Sequence, residues 1–144
     1  MMKKSILIVA LPLTLFCTEA LSATDLVVIA NPGSGIERIS RNEASAIYMG
    51  RSKKLPSGVS ALPLDQASSI DKARFYKELV NKDLPELTSH WARMIFSGQG
   101  SPPRQIDSVA EIVEIVGSNK AAIGYVPNAA VDKRVKVILD LSEQ

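Results

Sequence analysis

The sequence predicts an α/β layered domain built on a largely parallel or mixed sheet, and three observations carry that expectation. Short β-branched apolar runs recur at 25–30, 59–64, 121–126 and 135–139. Segments of helical periodicity lie between most of them, several opening on a serine. Clusters of glycine, proline and asparagine punctuate the boundaries.

At the amino end, Lys3 and Lys4 precede the apolar run Ile6 to Phe16, and small residues follow at Ala20, Ser22 and Ala23. This three-part layout is that of a secretory signal peptide, so residues 1–23 are set aside and 24–144 are read as one domain. The apolar run is shorter than the roughly 18 residues that argue for a membrane span. Cys17 falls inside the discarded peptide, behind a Phe16 too bulky for lipoprotein processing. Export without a cysteine in the mature chain suits a bacterial periplasm, with stability drawn from burial.

Asp25-Leu-Val-Val-Ile-Ala30 reads as a buried strand closed by the turn Asn31-Pro32-Gly33-Ser34-Gly35. Ser40 and Glu43 have capping-box spacing for a helix whose face is Ala44, Ile47 and Tyr48, with Gly50 as its stop. Val59 to Leu64 is a second strand, interrupted by Pro63. Ser68 and Ser69 precede a helix from Ile70 to Val80. A further helix runs from about Leu84 to Phe96, with Pro85 in its first turn and Leu87, Trp91, Met94 and Ile95 spaced for one buried face.

Gly98, Gly100, Pro102 and Pro103 then end the helical pattern, so Trp91 to Pro103 reads as a corner whose aromatics pin a loop to the core, or as the rim of a cleft. Ser108 with Glu111 suggests a second capping box, ahead of Val109, Ile112, Val113 and Val116 and a stop at Gly117. Ala121 to Val126 and Val135 to Leu139 are strands, with room for one helical turn between Pro127 and Arg134.

The mature part carries 15 Lys plus Arg against 14 Asp plus Glu, a net charge of +1. That balance argues against a nucleic-acid partner, which requires clustered positive charge. Lys53 and Lys54, the adjacent lysines of the mature part, read as a solvated loop. One histidine, His90, with no mature thiol makes no typical zinc site, and its place beside Trp91 suggests packing. No nucleophile, base and orienting group can be named together, so the chain is read as a non-enzyme with no cofactor.

Two serine-bearing turns remain as binding candidates. Gly33-Ser34-Gly35 lacks the third glycine of a dinucleotide loop and the Gly-Lys-Ser/Thr of a P-loop; it reads as an ordinary turn or as amides that contact an anion. Ser68 and Ser69 stand where a helix presents unpaired N–H groups and the positive end of its dipole, which suits either a plain cap or an oxyanion site.

Tyr48-Met-Gly-Arg51, Arg74-Phe75-Tyr76, the Trp91 to Pro103 run and Ala122-Ile-Gly-Tyr-Val126 occur in an order that resembles short phosphate ABC transporter substrate-binding-like proteins. The resemblance covers about residues 25–139. It implies a single PBP-like lobe of type II periplasmic-binding-protein architecture, a mixed sheet flanked by helices, with ligand gripped between two lobes in longer relatives. It also implies that Ser68-Ser69-Ile70 occupies the place of a phosphate-gripping Ser-Gly-Thr. The glycine and threonine are replaced, and Asp65 stands where those relatives place an arginine.

The first functional expectation is therefore a periplasmic solute-binding-like protein for phosphate or a similar oxyanion, serving an ABC permease, with Ser34, Gly35, Ser68 and Ser69 as ligand-binding residues. The alternative is an envelope adaptor that keeps the fold and docks on another protein through its open half-cleft.

Overall fold

The computed structural model describes residues 25–67 and 70–143; the segment read as a signal peptide lies outside the described residues, as do Ser68 and Ser69. Strand β1, Leu26–Ala30, is buried at every position. Its side chains alternate between two cores, Leu26, Val28 and Ala30 on one face and Val27 and Ile29 on the other. A strand buried on both faces needs a continuous apolar run, which is what this segment supplies.

Helix α1, Arg41–Tyr48, opens on the expected reciprocal capping box between Ser40 and Glu43. It ends where Gly50 takes φ +75, a left-handed turn that removes the chain from the helix axis. Strand β2 spans Leu62–Gln66, later than the expected Val59 to Leu64. Residues 53–61 fold back on themselves instead, with Ala61 N donating to Lys53 O and Leu55 N to Val59 O.

Pro63 is tolerated within β2 for a geometric reason. Leu62 N donates to Ala121 O, so the next amide along the strand, which proline lacks, faces the other side, where pairing begins only at Leu64.

Helices α2, Ile70–Val80, and α3, Leu84–Phe96, have the expected bounds. Asp83 caps α3, its side chain accepting from Glu86 N. The buried face of α3 is narrower than its spacing suggests: Leu87 and Trp91 are buried, whereas Ile95 is exposed and Phe96 is 97% exposed. The last turn projects past the core, so Trp91 anchors this corner and Phe96 does not.

A three-residue strand, β3 (Arg104–Ile106), carries no periodic signal and is absent from the sequence expectation. Helix α4, Val109–Ser118, runs through Gly117. Its cap is one-sided: the Ser108 side chain accepts from Glu111 N, without the reciprocal arm that defines the Ser40 box. Strand β4, Ala122–Pro127, a 3₁₀ turn at Asn128–Ala130 and strand β5, Lys136–Asp140, complete the domain.

The sheet is five-stranded and mixed, in the order β3-β2-β4-β1-β5. Strands β3, β2 and β4 are parallel, and β1 is antiparallel to both β4 and β5. Helices α1, α2 and α3 cover one face and α4 the other. At Gly124 the α4 layer comes so close that a Cβ would lie 2.5 Å from Ile112 Cγ2, so only glycine fits there.

Candidate functional site

The carboxyl ends of β2 and β4 meet the aromatic residues of α1 and α2 at a buried polar cluster centred on Asp65. Asp65 is 3% exposed. Its Oδ1 accepts from the Tyr125 hydroxyl at 2.5 Å and from Gln66 N at 2.8 Å. Oδ2 accepts from the Tyr76 hydroxyl at 2.8 Å and faces Lys72 Nζ at 3.6 Å. A carboxylate offers about four acceptor sites, and these partners from the protein itself take them up. Asp65 is thereby turned inward, and its charge is balanced by Lys72 and by two neutral hydroxyls.

The aromatic shell holds this geometry. Phe75 stacks on Tyr125 with centroids 3.7 Å apart and planes 4° from parallel, and Tyr48 packs edge-on against Phe75. The Tyr48 hydroxyl donates to Leu64 O at 3.0 Å, and Gln66 Nε2 to Tyr125 O at 3.3 Å. Burial, reinforced by the Asp65 charge, raises the phenols of Tyr48, Tyr76 and Tyr125 well above their ordinary value. They remain protonated donors at any physiological pH.

Helix α2 starts beside this cluster. Ile70 is 82% exposed at its amino end, and Lys72 in the first turn joins Asp65 in lining a cavity of about 320 Å³ with Leu87, Trp91 and Pro102. Ser68 and Ser69 belong to the β2–α2 connection by sequence and lie outside the described residues.

The turn at Ser34 and Gly35 lies elsewhere. Ala30 pairs with Ile123, which also pairs with Pro63, whereas Leu26 pairs with Pro127 at the far end of β4. Because β1 runs against β2, the turn after β1 and the connection after β2 emerge at opposite ends of the sheet. The turn at Ser34 and Gly35 and the described end of β2 at Gln66 therefore lie at opposite ends of the sheet.

At its own end the turn after β1 closes on the carboxyl terminus of α4. Asn31 Nδ2 donates to Val116 O and Gly117 O, both at 3.0 Å. Gly33 N donates to Asn31 Oδ1, Ser34 N to Asn31 O and Ile36 N to Ser34 Oγ. Those amides and the Ser34 hydroxyl oxygen are used inside the turn, next to the negative end of a helix dipole.

His90 Nε2 lies 3.0 Å from Met49 O; a carbonyl only accepts, so this nitrogen carries the hydrogen and fixes α3 to the end of α1. Among the described residues no group of three or more His, Cys, Asp or Glu could hold a metal ion, and no helix is long and apolar enough to cross a membrane. The Asp65 cluster has no local sequence signal, because Asp65, Lys72 and Tyr76 come together only when α2 packs back on β2, and Tyr125 joins them only through the parallel pairing of β2 with β4.

No family model and no curated protein matches the chain. Solved structures do. An ABC-type phosphate transport receptor from Vibrio cholerae superposes with a TM-score of 0.61 at 19% identity, over 80% of this chain and 45% of that one. A protein from Clostridium perfringens, assigned as a phosphate ABC transporter substrate-binding protein and holding bound phosphate, gives 0.64 at 17% identity, over 80% and 44%. A third, from Planctomyces limnophilus DSM 3776 and assigned as phosphate-binding, gives 0.51 at 17%, over 74% and 36%. The chain thus spans less than half the length of these proteins, and its fold is that of one PBP-like lobe of phosphate ABC transporter substrate-binding proteins.

Proposed function

We propose that this chain is a periplasmic solute-binding-like protein that recognises phosphate or a similar oxyanion at the amino end of α2, with the hydroxyls of Ser68 and Ser69 as donors and an ABC permease as its transport partner. The observation that carries this reading is the β2–α2 junction: a helix amino terminus at the carboxyl end of a parallel strand, with Lys72 in its first turn. Ligands of open α/β sheets bind outside such strand ends, and helix amino termini favour anions. The phosphate-binding assignments of the structural neighbours support the same choice of ligand. The turn at Ser34 and Gly35, at the other end of the sheet, takes no part in this site.

Asp65 has a defined place in this proposal. Its acceptor positions are taken by Tyr125, Tyr76, Gln66 and Lys72, so the anion is gripped by helix amides and serines and not by a proton shared with Asp65. Calorimetry with phosphate, sulfate and nucleotides tests the reading, and absence of heat at millimolar phosphate rejects it. Replacing Ser68 and Ser69 together by alanine should abolish binding while the fold survives, since loss of a helix cap costs only about 0.5 to 2 kcal/mol.

A second reading, an envelope adaptor, is favoured by one observation. Ile70 and Phe96 are large apolar side chains held almost wholly in solvent. A stoichiometric partner co-purifying from envelope extracts, lost in an Ile70→Ser, Phe96→Ser variant, would favour docking over transport.

A further inference from the structure

A second cavity lined by Trp91, one that Asp65 and Lys72 do not line, has the composition of a ligand site, and nothing in the phosphate reading uses it. Its volume is about 570 Å³, within the range of small-molecule sites. Ile47, Leu62 and Pro63 give it an apolar floor, and Trp91, Pro102 and Pro103 an aromatic and proline wall. Ser52, Ser60 and Ser101 add hydroxyls. The charged residues that line it are both cations, Lys53 and Arg104. Among the described residues neither has a carboxylate within ion-pair distance.

The shape is built into the backbone. Gly50 is the point where the Trp91 ring passes: a Cβ there would lie 2.9 Å from its Cη2, so the glycine admits the ring that walls the cavity. Lys53 is held by the hydrogen bond from Ala61 N to its carbonyl, and Arg104 by its register with Leu64 in the sheet. Two exposed cations on anchored backbone, without an ion pair among the described residues, beside an apolar cleft match a ligand with one anionic head and an apolar body. Inorganic phosphate offers nothing to the floor, and an apolar cation is repelled at the mouth.

We propose that this cleft binds a small amphipathic organic anion, its carboxylate-like head between Lys53 and Arg104 and its apolar body against Trp91 and the Pro102–Pro103 wall. The proposal is independent of the oxyanion site at α2. The residues from Trp91 to Pro103, which as sequence read either as a structural corner or as the rim of a cleft, then serve both roles.

Trp91 is the one tryptophan of the chain and lines both this cleft and the Lys72 cavity, so its emission reports binding at either, and the Lys53 and Arg104 substitutions assign the signal to this cleft. Octanoate is the probe, octylammonium its charge-reversed control, and inorganic phosphate the competitor. Octanoate should change Trp91 emission saturably at millimolar concentration or below, octylammonium should not, and phosphate should leave octanoate binding unchanged. Lys53→Ala with Arg104→Ala, both at exposed positions, should weaken octanoate binding by about tenfold or more while circular dichroism stays the same. The proposal is overturned if octanoate gives neither a saturable emission change nor heat, if octylammonium binds equally well, or if the double variant binds octanoate as the parent does. Displacement of octanoate by inorganic phosphate would also overturn it, by assigning the anion to a single shared site.

Discussion

The Tyr125 hydroxyl donates to Asp65 Oδ1, tying β4 to the end of β2 across 60 residues of sequence. With Tyr76 and Lys72 on Oδ2, this bond turns an acidic residue at the carboxyl edge of the sheet into the centre of a buried, internally neutralised cluster. The candidate oxyanion end of α2 rests on that cluster.

Removing the carboxylate should be more damaging than removing either hydroxyl. Asp65→Ala leaves Lys72 and two phenols buried without their shared acceptor, and it should destabilise the domain by about 3 to 5 kcal/mol. Tyr76→Phe, which deletes one charge-assisted bond, should cost about 1.5 to 3 kcal/mol. Urea denaturation of the single and double variants checks both, and the pair should be clearly non-additive because the two residues share one network.

Stability should fall as pH rises through the ordinary tyrosine range. Folding raises the pKa of Tyr48, Tyr76 and Tyr125, so the stabilisation is complete below the unfolded value of about 10 and is lost as pH rises above it. The unfolded chain releases protons there that the folded chain retains. Each buried phenol should contribute a slope of about 1.4 kcal/mol per pH unit above that point. Urea midpoints measured from pH 8 to 11 (an interval of about three units spanning the ordinary tyrosine pKa) would contradict this if they stayed flat.

Gly124 should tolerate no side chain. An alanine methyl would meet Ile112 Cγ2 at 2.5 Å, between a central strand and the helix packed on it, and the overpacking should cost about 1 to 3 kcal/mol. Thermal denaturation of Gly124→Ala, set against an exposed control such as Ala129→Ser, measures it.

The two aromatics of the α3 corner should respond oppositely. Trp91→Ala should destabilise by about 3 to 5 kcal/mol, because the ring is buried among core residues. Phe96→Ser should shift stability by no more than about 0.5 kcal/mol, because that ring touches mainly solvent. Equal losses in chemical denaturation would show that Phe96 is packed after all.

Much of the fold was legible before any coordinates. Ser40 with Glu43, the apolar stripe of α4 and the bounds of α2 and α3 are local patterns, and capping and periodicity act within a few residues. Strand β3 leaves no mark in the sequence because three residues held by a neighbouring strand need no periodicity of their own. The exposure of Ile95 and Phe96 leaves none either, because helical spacing says which residues share a face, and not where the core beneath that face ends.

The candidate site was less legible. Ser34 and Ser68 look alike as serines after strands, yet the antiparallel run of β1 sends the Ser34 turn to the end of the sheet opposite Gln66, where β2 ends. Asp65 stands in sequence where the longer relatives place an arginine, and its hydrogen bonds show it facing inward.

The sequence by itself determined the α/β class, the helices, most of the strands and the alternation of side chains across β1, since these follow from backbone geometry and burial within single segments. Only the tertiary structure decided strand order, the opposite ends at which β1 and β2 finish, the neutralisation of Asp65 and the cationic cleft at Trp91. Those depend on pairing residues tens of positions apart, and the choice among such pairings is made by the packing of the whole domain.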